Sequence, residues 1–248
     1  MSWMAKWPGA YPVFVENAKG ARFTDVDGNT YIDFCLGDTG SMTGHSPDAT
    51  VAAIREQAGK GITAMLPTAD AAIVSAELAA RFGLPLWQFT VTATDANRHV
   101  IRYCRLITGR AKIIVIDRCY HGSVDETFAT LDDAGNTVKR EGNLGAPVDL
   151  AVTTRVVEFN DLAGMEAALA HGDVAAILME PAMTNVGIVL PEDGYLVAVQ
   201  DLAKKYGALL IIDETHTISV GPGGMTLDLG LKPDFLTIGK AIAGGIPV

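Results

Sequence analysis

Short apolar runs alternate with amphipathic stretches from Trp87 onward. Lys112–Ile116, Val174–Met179 and Ala208–Ile212 are almost continuous in Ile, Val, Leu, Ala and Met. A strand reads this way when both of its faces are covered, which marks a mostly parallel sheet between helices. Gln88–Val91, Val156–Phe159 and Phe235–Ile238 join them as expected strands. Helical periodicity fills the gaps at Asp95–Ile107, Asp161–Ala170 and Tyr195–Tyr206, and Gly109, Gly172 and Gly207 stand where left-handed caps belong. The first part of the chain has another texture. Ala21–Phe34 reads as two short strands around the tight turn at Asp27 and Gly28. Helices are expected over Asp48–Gln57 and again after Pro67 and Thr68, the second carrying Ile73, Val74, Leu78 and Phe82 and stopped by Gly83 and Pro85. The pattern divides the chain into an N-terminal segment, 1–60, and an α/β domain, 61–248.

Sites in open α/β sheets lie at the carboxyl ends of the strands. The residues just past those ends are Thr92–Ala96, Arg118–Gly122, Glu180–Asn185, Asp213–His216 and Gly239–Ala241. Asp213 closes a buried strand, where a carboxylate must be met by a cation or a donor. With Lys240 it forms a structural ion pair, or each caps its own strand and faces water, or both serve a cofactor. Thr92, Ala93 and Thr94 stand between a strand and a helix start, where free N–H groups and the helix dipole make an anion site; the plainer alternative is an N-cap. Tyr120, followed by His121 and Gly122, can stack on a flat heterocycle or fill core. His216 reaches such a ring or stays within its loop. His45, His99 and His171 read as structural. Neither a GxGxxG fingerprint nor a P-loop is present.

Charge narrows the partners. The chain has 19 Lys+Arg against 29 Asp+Glu, a net charge of −10, which argues against nucleic acid. No apolar run approaches the ~20 residues of a membrane helix, and Met1–Pro8 lacks a signal peptide's apolar core. Cys35, Cys104 and Cys119 form no CxxC pair. A soluble, cytoplasmic protein is the expectation.

Taken together these motifs resemble a class III aminotransferase, a fold-type-I pyridoxal-phosphate enzyme, similar to the glutamate-1-semialdehyde aminomutase branch. The resemblance runs from about Ala18 to Val248. It rests on Asp25–Asp33 with Gly44, His45 and Pro47; on Thr92–Asn97, which aligns with a phosphate loop; on Tyr120–Gly122; and on Glu180, Pro181, Asn185, Gly187, Pro191 and Gly194–Leu196. Asp213 with Glu214, and Pro233–Lys240 followed by Gly244 and Gly245, are its most specific parts. The resemblance implies that Lys240 forms a Schiff base with pyridoxal 5′-phosphate and shuttles the proton, while Asp213 keeps the pyridine nitrogen protonated. It further implies that Tyr120 stacks on the ring, with His121 beside it. Thr92, Ala93 and Thr94 bind the phosphate, Glu180 and Asn185 line the ring oxygen, and His216 is a further ring contact. Small-molecule amino donors and carbonyl acceptors, and a homodimer with a shared active site, follow as partners.

The sequence departs from the family at Ala93, where glycine is usual, at Asp95, where Glu is usual, and at Thr215, where Val is usual. It also stops eight residues after Lys240. The family continues with an antiparallel strand inside the sheet and a C-terminal small domain. The expectation is thus a fold-type-I large domain, a mostly parallel sheet flanked by helices with the small domain absent, inactive as this fragment alone. Two other outcomes stay open: a 2,1-aminomutase of the glutamate-1-semialdehyde type, and a non-catalytic truncated homologue.

Overall fold

The computed structural model describes residues 12–63, 65–146 and 148–246. Met1–Pro8, and Pro247 and Val248 of the apolar tail, lie outside the described residues. The described chain forms two compact units. One runs to Leu66 and takes in Lys240–Ile246; the other is Pro67–Gly239. The sequence pattern placed its boundary six residues earlier and kept Lys240 with the α/β part. No helix among the described residues is long and apolar enough to cross a membrane.

The second unit is built on a five-stranded sheet. Its strands are β4 (Lys112–Ile116), β7 (Thr154–Val157), β8 (Val174–Met179), β9 (Leu209–Asp213) and β10 (Phe235–Thr237), in the order β10-β9-β8-β4-β7 with every pairing parallel. Every residue of β8 is buried, as are Ile113–Ile116 and Leu210–Asp213. This is the burial on both faces that the continuous apolar runs demand. Ile177 sits in mid-sheet, its backbone in register with Ile114 on one side and Leu210 on the other. The helices α3 (Ala93–Thr108), α4 (Leu162–Leu169) and α5 (Tyr195–Tyr206) each turn a buried stripe inward; in α3 it is Asn97, Ile101 and Cys104, one face of a 3.6-residue period. Arg110 fastens the far end of α5. Its Nη1 donates to the carbonyls of Val174, Tyr206 and Gly207 at 3.0, 2.9 and 3.0 Å, a cation placed at a helix C-terminus. After β4 the chain goes to β7 on one side, then returns to β8 on the other. The order reverses between β4 and β8, and the carboxyl ends of these strands are where open α/β sheets place their sites.

One expected strand is absent. Gln88–Val91 is irregular, and Val91 is 72% exposed. A strand persists only when a neighbour takes up its ladder groups, and among the described residues nothing pairs with this segment. Strand β7 also begins two residues earlier than expected, because Thr154 is anchored by its Oγ1 donating to the Glu126 carbonyl at 2.9 Å. A small hairpin, β5 (Ala129–Leu131) with β6 (Thr137–Lys139), was not anticipated, nor was the short α6 (Gly224–Asp228). Helix α2 (Ala69–Phe82) forms where expected and ends on left-handed Gly83, but it buries no residue: Ile73 is 67% exposed.

The first unit holds a three-stranded antiparallel sheet, β1 (Val15–Lys19), β2 (Arg22–Asp25) and β3 (Thr30–Ile32), of which only β1 was unforeseen, and helix α1 (Asp48–Ala58). Asp25 builds the turn between β2 and β3. Its carboxylate accepts from the N–H of Asp27 and Asn29 and from the Tyr31 hydroxyl at 3.0, 2.8 and 2.8 Å.

Because Ile177 is fully buried between two strands, Ile177→Ala should lower unfolding free energy by about 2–5 kcal/mol. Urea denaturation should show a lower midpoint with an unchanged slope.

Candidate functional site

Asp213 ends β9 at the carboxyl edge of the sheet and is 3% exposed. Its Oδ2 accepts from Asn97 Nδ2 at 3.0 Å and pairs with His121 Nδ1 at 2.8 Å; its Oδ1 accepts from the Thr215 N–H at 3.0 Å. Burial alone would raise its pKa, but the His121 hydrogen bond and charge, with Asn97, outweigh burial and hold it at about 2. His121 is fully buried. Burial disfavours its charged form, yet the neighbouring Cys119 sulfur and the Asp213 carboxylate keep its pKa well above the ordinary imidazole value. Asn97 is oriented in turn. Thr237 Oγ1, on β10, donates to Asn97 Oδ1 at 2.8 Å, and Asn97 Nδ2 also reaches the His121 carbonyl at 3.2 Å. One carboxylate therefore ties together α3, the loop after β4, β9 and β10.

The start of α3 packs against that same loop. Thr92 is the N-cap: its Oγ1 accepts from the Asp95 N–H at 3.1 Å and donates to the Asp95 carboxylate at 2.9 Å, a reciprocal cap. The N–H groups of Ala93 and Thr94 precede the first intrahelical bond. Thr94 Oγ1 accepts from the Ser123 N–H at 3.0 Å. Gly122 stands between them with φ +80°, and a Cβ there would lie 2.1 Å from Thr94 Oγ1. Glycine is required for this approach. Tyr120, two residues before, is half-buried.

Glu180 follows β8 directly and is 3% exposed. Its Oε2 accepts from Thr184 Oγ1 at 2.5 Å. Desolvation raises its pKa to about 7, helped by the charge of Asp213 and opposed by His121 and Thr184. Glu180 Oε1 and His121 Nε2 are buried polar atoms that no described residue meets. Asn185 is exposed at the tip of the loop closed by the Met183–Val189 bridge and stands outside the Asp213 cluster. His216 is half-buried at the start of the 3-10 turn Thr217–Val220, its carbonyl taking the Ser219 hydroxyl at 3.0 Å.

Lys240 belongs to the first unit and opens the 3-10 turn Lys240–Ala243 with φ +52°. Its Nζ lies 3.1 Å from Asp38 Oδ2, the two side chains being 21% and 31% exposed. Asp38 sits in a left-handed run, Leu36, Gly37, Asp38 and Thr39, with φ of 56°, 57°, 58° and 64°. Side chains other than glycine resist that conformation by roughly 1–2 kcal/mol per residue. Asp33 supports the run by accepting from the Cys35 and Gly37 N–H groups at 2.8 and 2.9 Å, and is itself paired with His45 Nε2 at 2.7 Å.

Residues 3–248 match the family model for class-III aminotransferases. The chain belongs to the class-III aminotransferase family. It is 36% identical over 244 residues to the glutamate-1-semialdehyde 2,1-aminomutase of Methanothrix thermoacetophila, covering 96% of this chain and 56% of that protein. Among solved structures it is similar to a glutamate-1-semialdehyde-aminomutase from Pseudomonas aeruginosa PAO1, with 55% identity and a TM-score of 0.96 over the whole of this chain and 55% of the other. An omega-transaminase from Sphaerobacter thermophilus superimposes with a TM-score of 0.92 at 28% identity, covering 100% of this chain and 58% of that one. The fold is that of the fold-type-I large domain, and the chain spans little more than half the length of these relatives.

Sequence reasoning singled out Asp213, His121, Glu180, Thr92 and Thr94, and the second unit places their elements at one edge of its sheet. It included Asn97 and Thr237 in motifs without giving either a role, and passed over Asp38. A polar residue inside the apolar strand Phe235–Ile238 and an Asn on the inward stripe of α3 are legible signals for the first two. Asp38 has none.

The folded pKa of Glu180 stands above the 4.5 of an unperturbed glutamate, so its contribution to stability is complete below pH 4.5 and is lost as pH rises to about 7. At about 1.4 kcal/mol per pH unit of difference, ionising it in the folded chain costs about 3 kcal/mol. Glu180→Gln should remove this decline between pH 4.5 and 7 in urea titrations. A second expectation concerns the close approach at Gly122. Gly122→Ala should destabilise well beyond Gly135→Ala, which has similar φ (+79°) but open space around it; thermal midpoints of the two variants compare them.

Proposed function

We propose that the chain binds pyridoxal 5′-phosphate and serves an enzyme that moves an amino group, with Lys240 as the covalent anchor. The observation that carries this is Asp213, a buried carboxylate kept anionic at the carboxyl edge of the sheet. An acceptor-only group in that position suits a protonated ring nitrogen. The residues present fit the cofactor in a second respect, since the buried, unmet atoms Glu180 Oε1 and His121 Nε2 are polar positions a ligand would satisfy.

When bound, the cofactor supplies an aldehyde for the amine and a ring that accepts the electrons released at the amine-bearing carbon. The chain's own residues supply the rest. Asp213 would hold the proton on the ring nitrogen, with His121 and Asn97 fixing its orientation. Lys240 Nζ would give up its place to the substrate amine and then move the proton as base and acid. Tyr120 would cover a ring face. The first turn of α3, with Thr92, Ala93 and Thr94, would take the phosphate through N–H groups and hydroxyls. Glu180, poised near neutrality, would share a proton with the ring oxygen; Asn185 and His216 complete the set. All these residues lie in 61–248, the expected cofactor-binding region.

Transfer between two small molecules, an amino donor and a carbonyl acceptor, is the first form of this reading. Similarity to two proteins named as aminomutases favours a second, in which the amino group shifts within one molecule. A cytoplasmic homodimer completes the proposal. Exposed Phe34 (91%), Met65 (100%) and Leu86 (88%) support a further surface coming to cover them.

The test is covalent capture. With added pyridoxal 5′-phosphate, borohydride should fix the cofactor to the peptide carrying Lys240, and Lys240→Ala should lose both the fixation and the cofactor's shifted absorbance. Fixation elsewhere, or none, would overturn the reading.

A further inference from the structure

The loop after β4 carries Tyr120 and His121, and it is held from two sides. On one side are Asp213, Asn97 and Thr94. On the other is the hairpin of β5 and β6. The hairpin is stiff in itself, because Asp132 closes its turn by accepting from the Ala134 and Asn136 N–H groups at 3.0 and 2.8 Å. Thr137 Oγ1 accepts from the Val156 N–H at 3.1 Å, which fastens the hairpin to β7 at the edge of the sheet. From that edge it reaches the loop after the neighbouring strand β4 twice. Thr130 Oγ1 and the Leu131 N–H donate to Asp117 Oδ1 at 2.6 and 3.1 Å, and Arg140 Nη2 donates to the Cys119 carbonyl at 2.7 Å. Between these two anchors Arg118 stands at φ +59°, and the Cys119 N–H closes back on the Ile116 carbonyl at 3.1 Å. A residue other than glycine keeps that conformation only where its surroundings over-determine it. The Arg140 guanidinium is drawn in so far that its Nε is buried and met by no described residue, a cost that a side chain reaching into water avoids.

We infer that Arg140 is a positioning residue: through the Cys119 carbonyl it sets the course of the chain into Tyr120 and His121, and so keeps His121 against Asp213. The argument is one of covalent geometry and leverage. The Cys119 carbonyl and the Tyr120 nitrogen belong to one planar peptide unit, so holding the oxygen fixes the direction in which Tyr120 and then His121 leave the turn. A guanidinium donor makes a charge-assisted bond, roughly twice as strong as a neutral one. Downstream the loop is confined where Gly122 passes Thr94 and the Ser123 N–H donates to Thr94 Oγ1 at 3.0 Å. With its upstream anchor released, the loop can pivot about that point, and the contact it then loses is His121 with Asp213, at 2.8 Å. Every residue in this chain of contacts belongs to the second unit. That the same hold keeps Tyr120 in place on a ring rests on the cofactor reading above; the hold on His121 does not.

Three variants of the full chain test this, each checked for folding by its far-UV spectrum and unfolding midpoint. Arg140→Met removes the donor and keeps the length. Arg140→Lys keeps a donor. Arg155→Met is the control, since the partners of Arg155, Asp173 and the Ala168 carbonyl, lie outside the loop. Without cofactor, the ¹⁵N shifts of the His121 imidazole are followed against pH. His121 faces Asp213 from β9, Glu180 from the end of β8 and Cys119 from its own loop, and these groups are the same in every variant. The parent should hold the His121 proton well above pH 6.5. Arg140→Met should hold it about tenfold more weakly, a midpoint lower by about one pH unit, because desolvation persists while the carboxylate's grip loosens. Loss of a nearby cation alone would move the midpoint upward instead. Arg140→Lys should return towards the parent, and Arg155→Met should match the parent even where its unfolding midpoint falls. With cofactor, the dissociation constant of pyridoxal 5′-phosphate read from its absorbance should rise about tenfold in Arg140→Met, with fixation still at Lys240. Should Arg140→Met not fold, Thr130→Val, which cuts the hairpin's other tie, should lower the His121 midpoint in the same direction. An unchanged or raised midpoint in the folded variant, or an equal fall in Arg155→Met, would overturn the positioning role. An unchanged cofactor dissociation constant beside a lowered midpoint would overturn its extension to Tyr120. A parent that loads no cofactor would instead sink the proposed function, and the imidazole titration would still decide the hold on His121.

Discussion

A carboxylate without water at the end of a buried strand has to be held by donors, and the second unit is arranged so that Asp213 has them. Burying such a charge unpaired costs on the order of several kcal/mol, comparable to the whole net stability of a domain. The donors come from distant parts of the sequence: Asn97 from α3, His121 from the loop after β4, and the Thr215 N–H from the turn after β9. Thr237 on β10 then fixes Asn97. Asn97 also reaches the His121 carbonyl, so that moving α3 loosens the loop after β4 and the hold of β10 together. The cluster is thus a constraint on the fold before it is a feature of a site. It also explains why Gly122 must come so close to Thr94, since the loop has to bring His121 to Asp213 while passing the first turn of α3.

Most of the sheet was legible in the sequence because the signal and its cause are the same thing. Val174–Met179 is apolar throughout since it is covered on both faces, and the same holds for Ile113–Ile116 and Leu210–Ile212. Tyr195–Tyr206 was bounded correctly, its end marked by Gly207; the structure finds Gly194 left-handed at its start as well. Gln88–Val91 misled for a reason local sequence cannot contain. Its β-favouring residues need a neighbouring ladder, and neighbours are a property of topology. The hairpin at 129–139 was missed because its strands are three residues each, below the length at which alternation can be read. Ile73 and Val74 show the converse limit: the helix is present, but what covers its apolar side is not written in the helix.

The site was legible in proportion to how strongly a residue violates its local pattern. Asp213 at the end of an apolar strand is a visible violation, and so is Glu180 after Met179. Thr237 is a milder one. Lys240 and Asp38 are different, because their peculiarity is conformational: both stand at positive φ without being glycine, and nothing in Leu36–Thr39 apart from Gly37 announces it. Only the tertiary supports, Asp33 with His45 above all, make that conformation tolerable, and they lie outside the run itself.

Two carboxylates in the second unit show how one environment sets opposite protonation states. Asp213 and Glu180 are about equally withdrawn from water, yet the first is held at about 2 and the second pushed to about 7. The difference lies in their hydrogen bonds. Asp213 accepts from an imidazole, an amide and a backbone N–H; Glu180 accepts from the Thr184 hydroxyl, with its Oε1 unmet. Desolvation acts on both, and only Asp213 has the donors to overcome it. The two are also coupled, since the charge on Asp213 raises Glu180 while His121 lowers it. His121 therefore works in both directions: its proton keeps Asp213 anionic and also restrains how far that anion drives Glu180 towards its neutral form. The acceptor that stays charged follows from the histidine's proton; the neighbour that can gain or lose a proton near pH 7 follows from desolvation, which the same histidine restrains.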